Sequence, residues 1–154
     1  AAGDLYVVAD GSARMGADTW GIAACRLALQ LEADAIVVEA NFGGDMAEQV
    51  VHQAWRDLTE RGETRGLLKP AIIPVHAKQG KRLRAEPIAQ LYGQGLVHHV
   101  GEFERLETQM VTWIPGMDSP DRMDACVHAL TELAEETETM GISTYTRTGR
   151  PGRR

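Results

Sequence analysis

The stretch AIVVE, residues 35–39, carries an acid, Glu39, out of the end of an apolar run. Asp10 closes a second such run, LYVVAD at 5–10. A third group stands in SPDRMDACVHALTEL, where Asp121, Asp124 and His128 fall at i, i+3 and i+7 and so share one side of a helix. Carboxylates drawn from several elements suit a hard divalent cation, which takes oxygen ligands. Two close carboxylates repel and raise each other's pKa unless such a cation sits between them. A pair of ions held this way supports phosphodiester hydrolysis, one generating hydroxide and the other stabilising the leaving oxygen. Plainer roles exist for the same residues. Glu39 can cap a loop, and Asp121 and Asp124 can answer the positive end of a helix dipole.

Other groups carry less. Gly43 and Gly44 precede a helix and could cradle a phosphate, but neither GxGxxG nor GxxxxGK[ST] occurs. His98, His99 and His128 lack HExxH spacing and read as non-ligands. Cys25 and Cys126 lack metal spacing and read as reduced core residues. Trp20, Trp55 and Trp113 read as core rather than as stacking platforms. Net charge is −6, against a simple polyanion binder, yet seven basic residues and one acid fall between Arg61 and Arg84. A local basic patch of that kind can still bind phosphate.

These residues need elements to position them. Strands are predicted at 5–10, 35–40 and 70–75, the last irregular or at an edge because of its prolines, and a short one at LVHHVG. A helix over 17–33 shows Trp20, Ala24, Leu27 and Leu31 on one face; Gly21 weakens it. The next helix shows Met46, Val50, Ala54 and Leu58, and ends at Gly62. HAKQGKRLR reads as a polar loop, followed by a helix with Pro87 in its first turns. EFERLETQMVTW reads as a helix packing Phe103, Leu106, Met110 and Trp113. In the last helix Ser119 is the expected N-cap, Pro120 the first helical residue, and Met123, Val127, Leu130 and Leu133 or Ala134 the buried stripe. Alternating strands and helices define an α/β class, with parallel pairing expected between 5–10 and 35–40.

Length and composition fit one globular domain: 154 residues, 44% hydrophobic and 25% charged. The expected domain is 1–138, followed by a flexible basic tail, 139–154. No apolar run reaches the length of a membrane span and no leader-like segment opens the chain, so a cytoplasmic protein with no membrane partner is expected.

Three stretches in order, ADAIVVEANFGGDM, AKQGKRLRAEPIAQLYGQGLVHHVGEFERLETQM and SPDRMDACVHALTEL, resemble the nuclease domain of tailed-phage terminase large subunits. As a set they are fairly specific, and the resemblance covers about residues 5–134. It implies an RNase H-like three-layer fold, a mixed sheet flanked by helices. It implies a two-metal, Mg2+- or Mn2+-dependent endonuclease cutting concatemeric double-stranded DNA during genome packaging in the host cell cytoplasm. Glu39 and Asp124 are then metal ligands with Asp121 as a helper, and Lys78, Lys81, Arg82 and Arg84 hold the DNA backbone. The partners it implies are an ATPase domain, the portal and the small terminase subunit. The alternative is a catalytically silent terminase remnant that binds DNA or docks on the packaging machinery; a third reading, a small nucleotide-binding module, lacks a phosphate loop.

One departure from the family pattern matters. Asp10 and Glu39 lie 29 positions apart, and a single helix fills the interval, leaving no room for the hairpin the family places between its first two acids. LYVVAD therefore resembles the family's third strand. The fold is expected to be N-terminally truncated, with the first metal-binding Asp upstream of residue 1, a sheet edge exposed beside LYVVAD, and weak metal binding by Glu39 and Asp124 alone.

Overall fold

The computed structural model describes residues 3–40, 45–76, 81–114, 116–117 and 120–145. Four strands and five helices run in the order β1 (Leu5–Val7), α1 (Ala17–Gln30), β2 (Ala35–Glu39), α2 (Asp45–Glu60), β3 (Ala71–Val75), α3 (Lys81–Gly93), β4 (Val97–His99), α4 (Glu104–Thr112) and α5 (Asp121–Tyr145). The class is α/β, as the alternation requires. Its pairing differs from the expectation. β1 pairs in parallel with β4, and β2 in parallel with β3, so among the described residues the β1–β2 ladder is not one of the two found. The chain divides into two compact units, one of Ala1–Asp10 and Lys81–Arg154, the other of Gly11–Gly80. Each has its own apolar cluster. No helix of the described residues is long and apolar enough to cross a membrane.

In the unit of residues 11–80, β2 and β3 are linked through α2, and the register runs from Ala35↔Ala71 to Glu39↔Val75. Pro74 lies opposite Val38. It lacks an N–H, and among the described residues β2 is the single strand with which β3 pairs, so the edge position predicted for β3 holds. The core gathers Cys25, Val38, Val51, Ala54, Trp55 and Leu58. On α2 this moves the buried stripe from the expected Met46 and Val50 to Val51, Ala54, Trp55 and Leu58, and leaves Met46 70% exposed. On α1 the buried positions are Gly21, Cys25 and Ala28, not the expected Trp20, Ala24, Leu27 and Leu31. The small residues face α2 because they let the two backbones approach. Trp20 and Leu29 pack at the border of the cluster.

The end of α1 holds a local strain. Leu31, Glu32 and Ala33 close the helix, with the Ala33 N–H donating to Ala28 O at 2.9 Å. Glu32 takes φ +49°, the left-handed region, at an exposed position. A β-carbon is unfavourable there by about 1 kcal/mol, a cost glycine does not carry. Glu32→Gly is therefore expected to raise the unfolding free energy by up to about 1 kcal/mol in urea titration; a loss of stability would contradict the reading.

In the other unit, Leu5 and Val7 turn inward while Tyr6 turns outward and stacks on His98 at 5.2 Å. Beneath β1 and β4 lie Ile88 of α3, Leu106 of α4 and Met123, Val127 and Leu130 of α5. The stripes predicted for α4 and α5 hold. Phe103, Met110 and Trp113 pack against this cluster, and of the two alternatives at the far end Ala134 packs while Leu133 stays 46% exposed. α3 begins at Lys81, so the last four residues of the segment read as a loop, 81–84, form its first turn. α5 starts one residue later than expected: Pro120 precedes it, and its carbonyl accepts from the Asp124 N–H at 3.1 Å. The helix runs on past Glu138 to Tyr145. Ser119 and residues 146–154 lie outside the described residues.

Candidate metal and phosphate site

The parallel pairing of β2 and β3 brings the C-terminal ends of both strands to one edge of their sheet. Glu39 is the last residue of β2 and is exposed. The ladder continues one step beyond it, with the Ala40 N–H donating to Val75 O at 2.8 Å. His76, the residue after β3, returns the tie by donating its Nδ1–H to Ala40 O at 2.9 Å. That bond puts a proton on Nδ1 of the ring. His76 thus stands at the same strand ends as Glu39, although it belongs to no spacing motif. Parallel register is what places it there, and the sequence does not display register. Asn41, Gly43 and Gly44, and with them the phosphate-cradle reading, lie outside the described residues.

The α5 side is built separately. Asp121 is exposed in the first turn. Asp124, one turn on, has a side chain only 18% exposed, against the side of the apolar stripe. Arg84 of α3 reaches it: guanidinium Nη2 lies 3.6 Å from Asp124 Oδ1, and Nη1 donates to Nε2 of His128. A guanidinium has no lone pair to offer, so in this contact His128 accepts at Nε2. One carboxylate and one imidazole lone pair therefore converge on a single cationic group. This is the donor chemistry a divalent ion requires. It makes Arg84 the competitor of any such ion at Asp124. His128, read from its spacing as a non-ligand, stands beside the same guanidinium as Asp124.

Asp10 has a different role from the one its strand-end position suggested. Its carboxylate accepts from Arg122 Nη1 at 2.5 Å, and both side chains are largely buried. The pair ties the chain after β1 to the first turn of α5, one residue along from Asp121. Of the expected DNA-contacting residues, Lys78 lies outside the described residues and Lys81 and Arg82 sit at the start of α3. Arg84 has a side chain only 13% exposed. It therefore stands on a helix beside Asp124 and not in the solvated loop its sequence suggested.

No family model matches the chain, and neither a curated protein nor a solved structure matches it.

Proposed function

We propose that the chain is the nuclease part of a terminase-like packaging enzyme with an RNase H-like fold, cutting double-stranded DNA with Mg2+ or Mn2+. The resemblance of the three stretches in order motivates the reading. The observation that carries it in the structure is the convergence of Asp124 and His128 on one cation, at the helix turn where the resemblance expects a ligand. Glu39, exposed at the end of β2, is the second proposed ligand. Bound divalent ions supply a hydroxide nucleophile and stabilise the leaving oxygen. Asp124 and Glu39 supply oxygen ligands, and Asp121, exposed one turn earlier, orients a water or a further ligand. Arg84 remains beside Asp124 and neutralises phosphate charge there.

Nicking of supercoiled plasmid tests the reading. Mn2+-dependent conversion to open circles, abolished by chelation, is expected; absence of nicking at any Mn2+ concentration that leaves the protein soluble contradicts it. DNA binding is expected to be electrostatic and sequence-independent. Lys78→Ala with Lys81→Ala should lower the slope of log K against log salt by about one for each phosphate interaction removed. An unchanged slope in fluorescence anisotropy would remove these residues from the DNA path.

A second reading, a silent terminase remnant that binds DNA or docks on the packaging machinery, draws on the same Arg84. A guanidinium already partners Asp124 and His128, and a chain without catalysis would keep that arrangement. DNA binding without Mn2+-dependent nicking is its signature.

A further inference from the structure

The unit containing α3, α4 and α5 holds a cavity of about 620 Å3 that the metal reading does not use. Its volume falls among those of small-molecule sites, about 300–1,000 Å3. Ile88, Met110, Met123 and Val127 give it apolar walls. One wall is polar and ordered. The Tyr92 hydroxyl and His99 Nε2 share a hydrogen bond at 2.8 Å, and His99 Nδ1–H donates to Glu107 Oε1 at 2.8 Å. The Phe103 N–H adds a third bond, also to Oε1, at 3.3 Å.

This chain of bonds fixes the character of each group. Burial, the largest cause, pushes the Tyr92 phenol well above its ordinary value, so it keeps its proton. The hydrogen bond from His99, with that from Phe103 N–H, holds the Glu107 carboxyl below the usual carboxylate range, so it stays anionic. Both of these bonds end on Oε1, and the Glu107 side chain is 42% exposed, which leaves Oε2 open to a ligand. Glu86 contributes a second carboxylate to the lining, and among the described residues no lysine or arginine lines the cavity. Tyr92 and Trp113 contribute aromatic surface.

Apolar walls, aromatic faces and fixed negative charge together suit one kind of small molecule. An acid would meet two carboxylates. A neutral hydrocarbon would leave Glu107 without a counter-charge. A cationic nitrogen on an apolar body satisfies the walls, the rings and the carboxylate at once. We propose that this cavity binds a small aromatic ammonium ion, its nitrogen held by Glu107 and its ring against Met110, Trp113 and Met123.

The test uses the full chain with labelled methionine methyl groups, and three probes: 2-phenylethylammonium, 2-phenylethanol and 3-phenylpropionate. The ammonium ion is expected to shift the Met110 and Met123 resonances saturably, to bind at least about tenfold more tightly than the alcohol, and the carboxylate is expected not to bind. Glu107→Gln keeps an acceptor for His99 and should weaken the ammonium ion about tenfold while leaving the alcohol unchanged. Ala89→Phe, on the exposed side of α3, should fill the cavity and abolish binding of both. No saturable shift, equal binding of ammonium and alcohol, or indifference to Glu107→Gln would overturn the proposal. Nicking is not among the readouts, so this proposal and the nuclease reading stand or fall separately.

Discussion

Glu39→Gln and Asp124→Asn are each expected to lower Mn2+-dependent plasmid nicking by at least about a hundredfold. Substitutions that merely disturb the partners of metal ligands cost about ten- to a hundredfold, and loss of a ligand costs more. The two substitutions differ in what they do to the fold. Glu39 is exposed at a strand end, so Glu39→Gln should leave stability within about 0.5 kcal/mol. Asp124 is mostly buried and faces Arg84, so Asp124→Asn should also lower the melting temperature measurably. Loss of nicking without loss of stability in Glu39→Gln is therefore the cleaner observation. An active Glu39→Gln variant would assign Glu39 to loop capping.

Gly21→Ala is expected to destabilise the unit of residues 11–80 by about 2 kcal/mol, although alanine is the better helix former by about 1 kcal/mol. A β-carbon at Gly21 would stand 2.6 Å from Val50 Cγ1, 3.1 Å from Val50 O and 3.2 Å from Ala54 Cβ. Valine in a helix has essentially one side-chain rotamer, so Cγ1 does not swing aside cheaply. The backbone oxygen can move only with α2 itself. The helices must therefore separate, and the Cys25–Val51 contact, with Sγ 3.7 Å from Val51 O, loosens with them. The expected fall in melting temperature is roughly 5–15 °C, measured by circular dichroism. A rise would show that propensity outweighs packing at this position.

Gly21 also shows what is legible in the sequence and what is not. Strand and helix order can be read from apolar runs and helical spacing, and the stripes of α4 and α5 follow from large residues at i, i+3 and i+4. On α1 the same procedure selects the largest apolar residues, while the face against α2 is made of Gly21, Cys25 and Ala28. Close helix packing rewards small size, which a hydrophobicity pattern does not register. Strand pairing escapes the sequence for a related reason. Adjacency in the chain suggests β1 beside β2, but each strand's partner is settled by packing at long range. Glu39 as the last residue of its strand, and Asp124 beside the stripe of α5, are both legible from local pattern. Arg84 as the partner of Asp124 and His128 is not. The basic run reads as solvated, and only the early start of α3 brings Arg84 onto a helix packed against α5. His76 at the end of β3 depends on parallel register and is equally hidden.

Manganese binding followed by electron paramagnetic resonance, on the full chain and on Glu39→Gln, Asp124→Asn and the double variant, tests most directly whether these carboxylates hold metal. The predicted result is weak binding by the wild type, a further loss of affinity in each single variant, and no bound ion in the double. Binding at wild-type affinity in either single variant, or in the double, would contradict the metal reading.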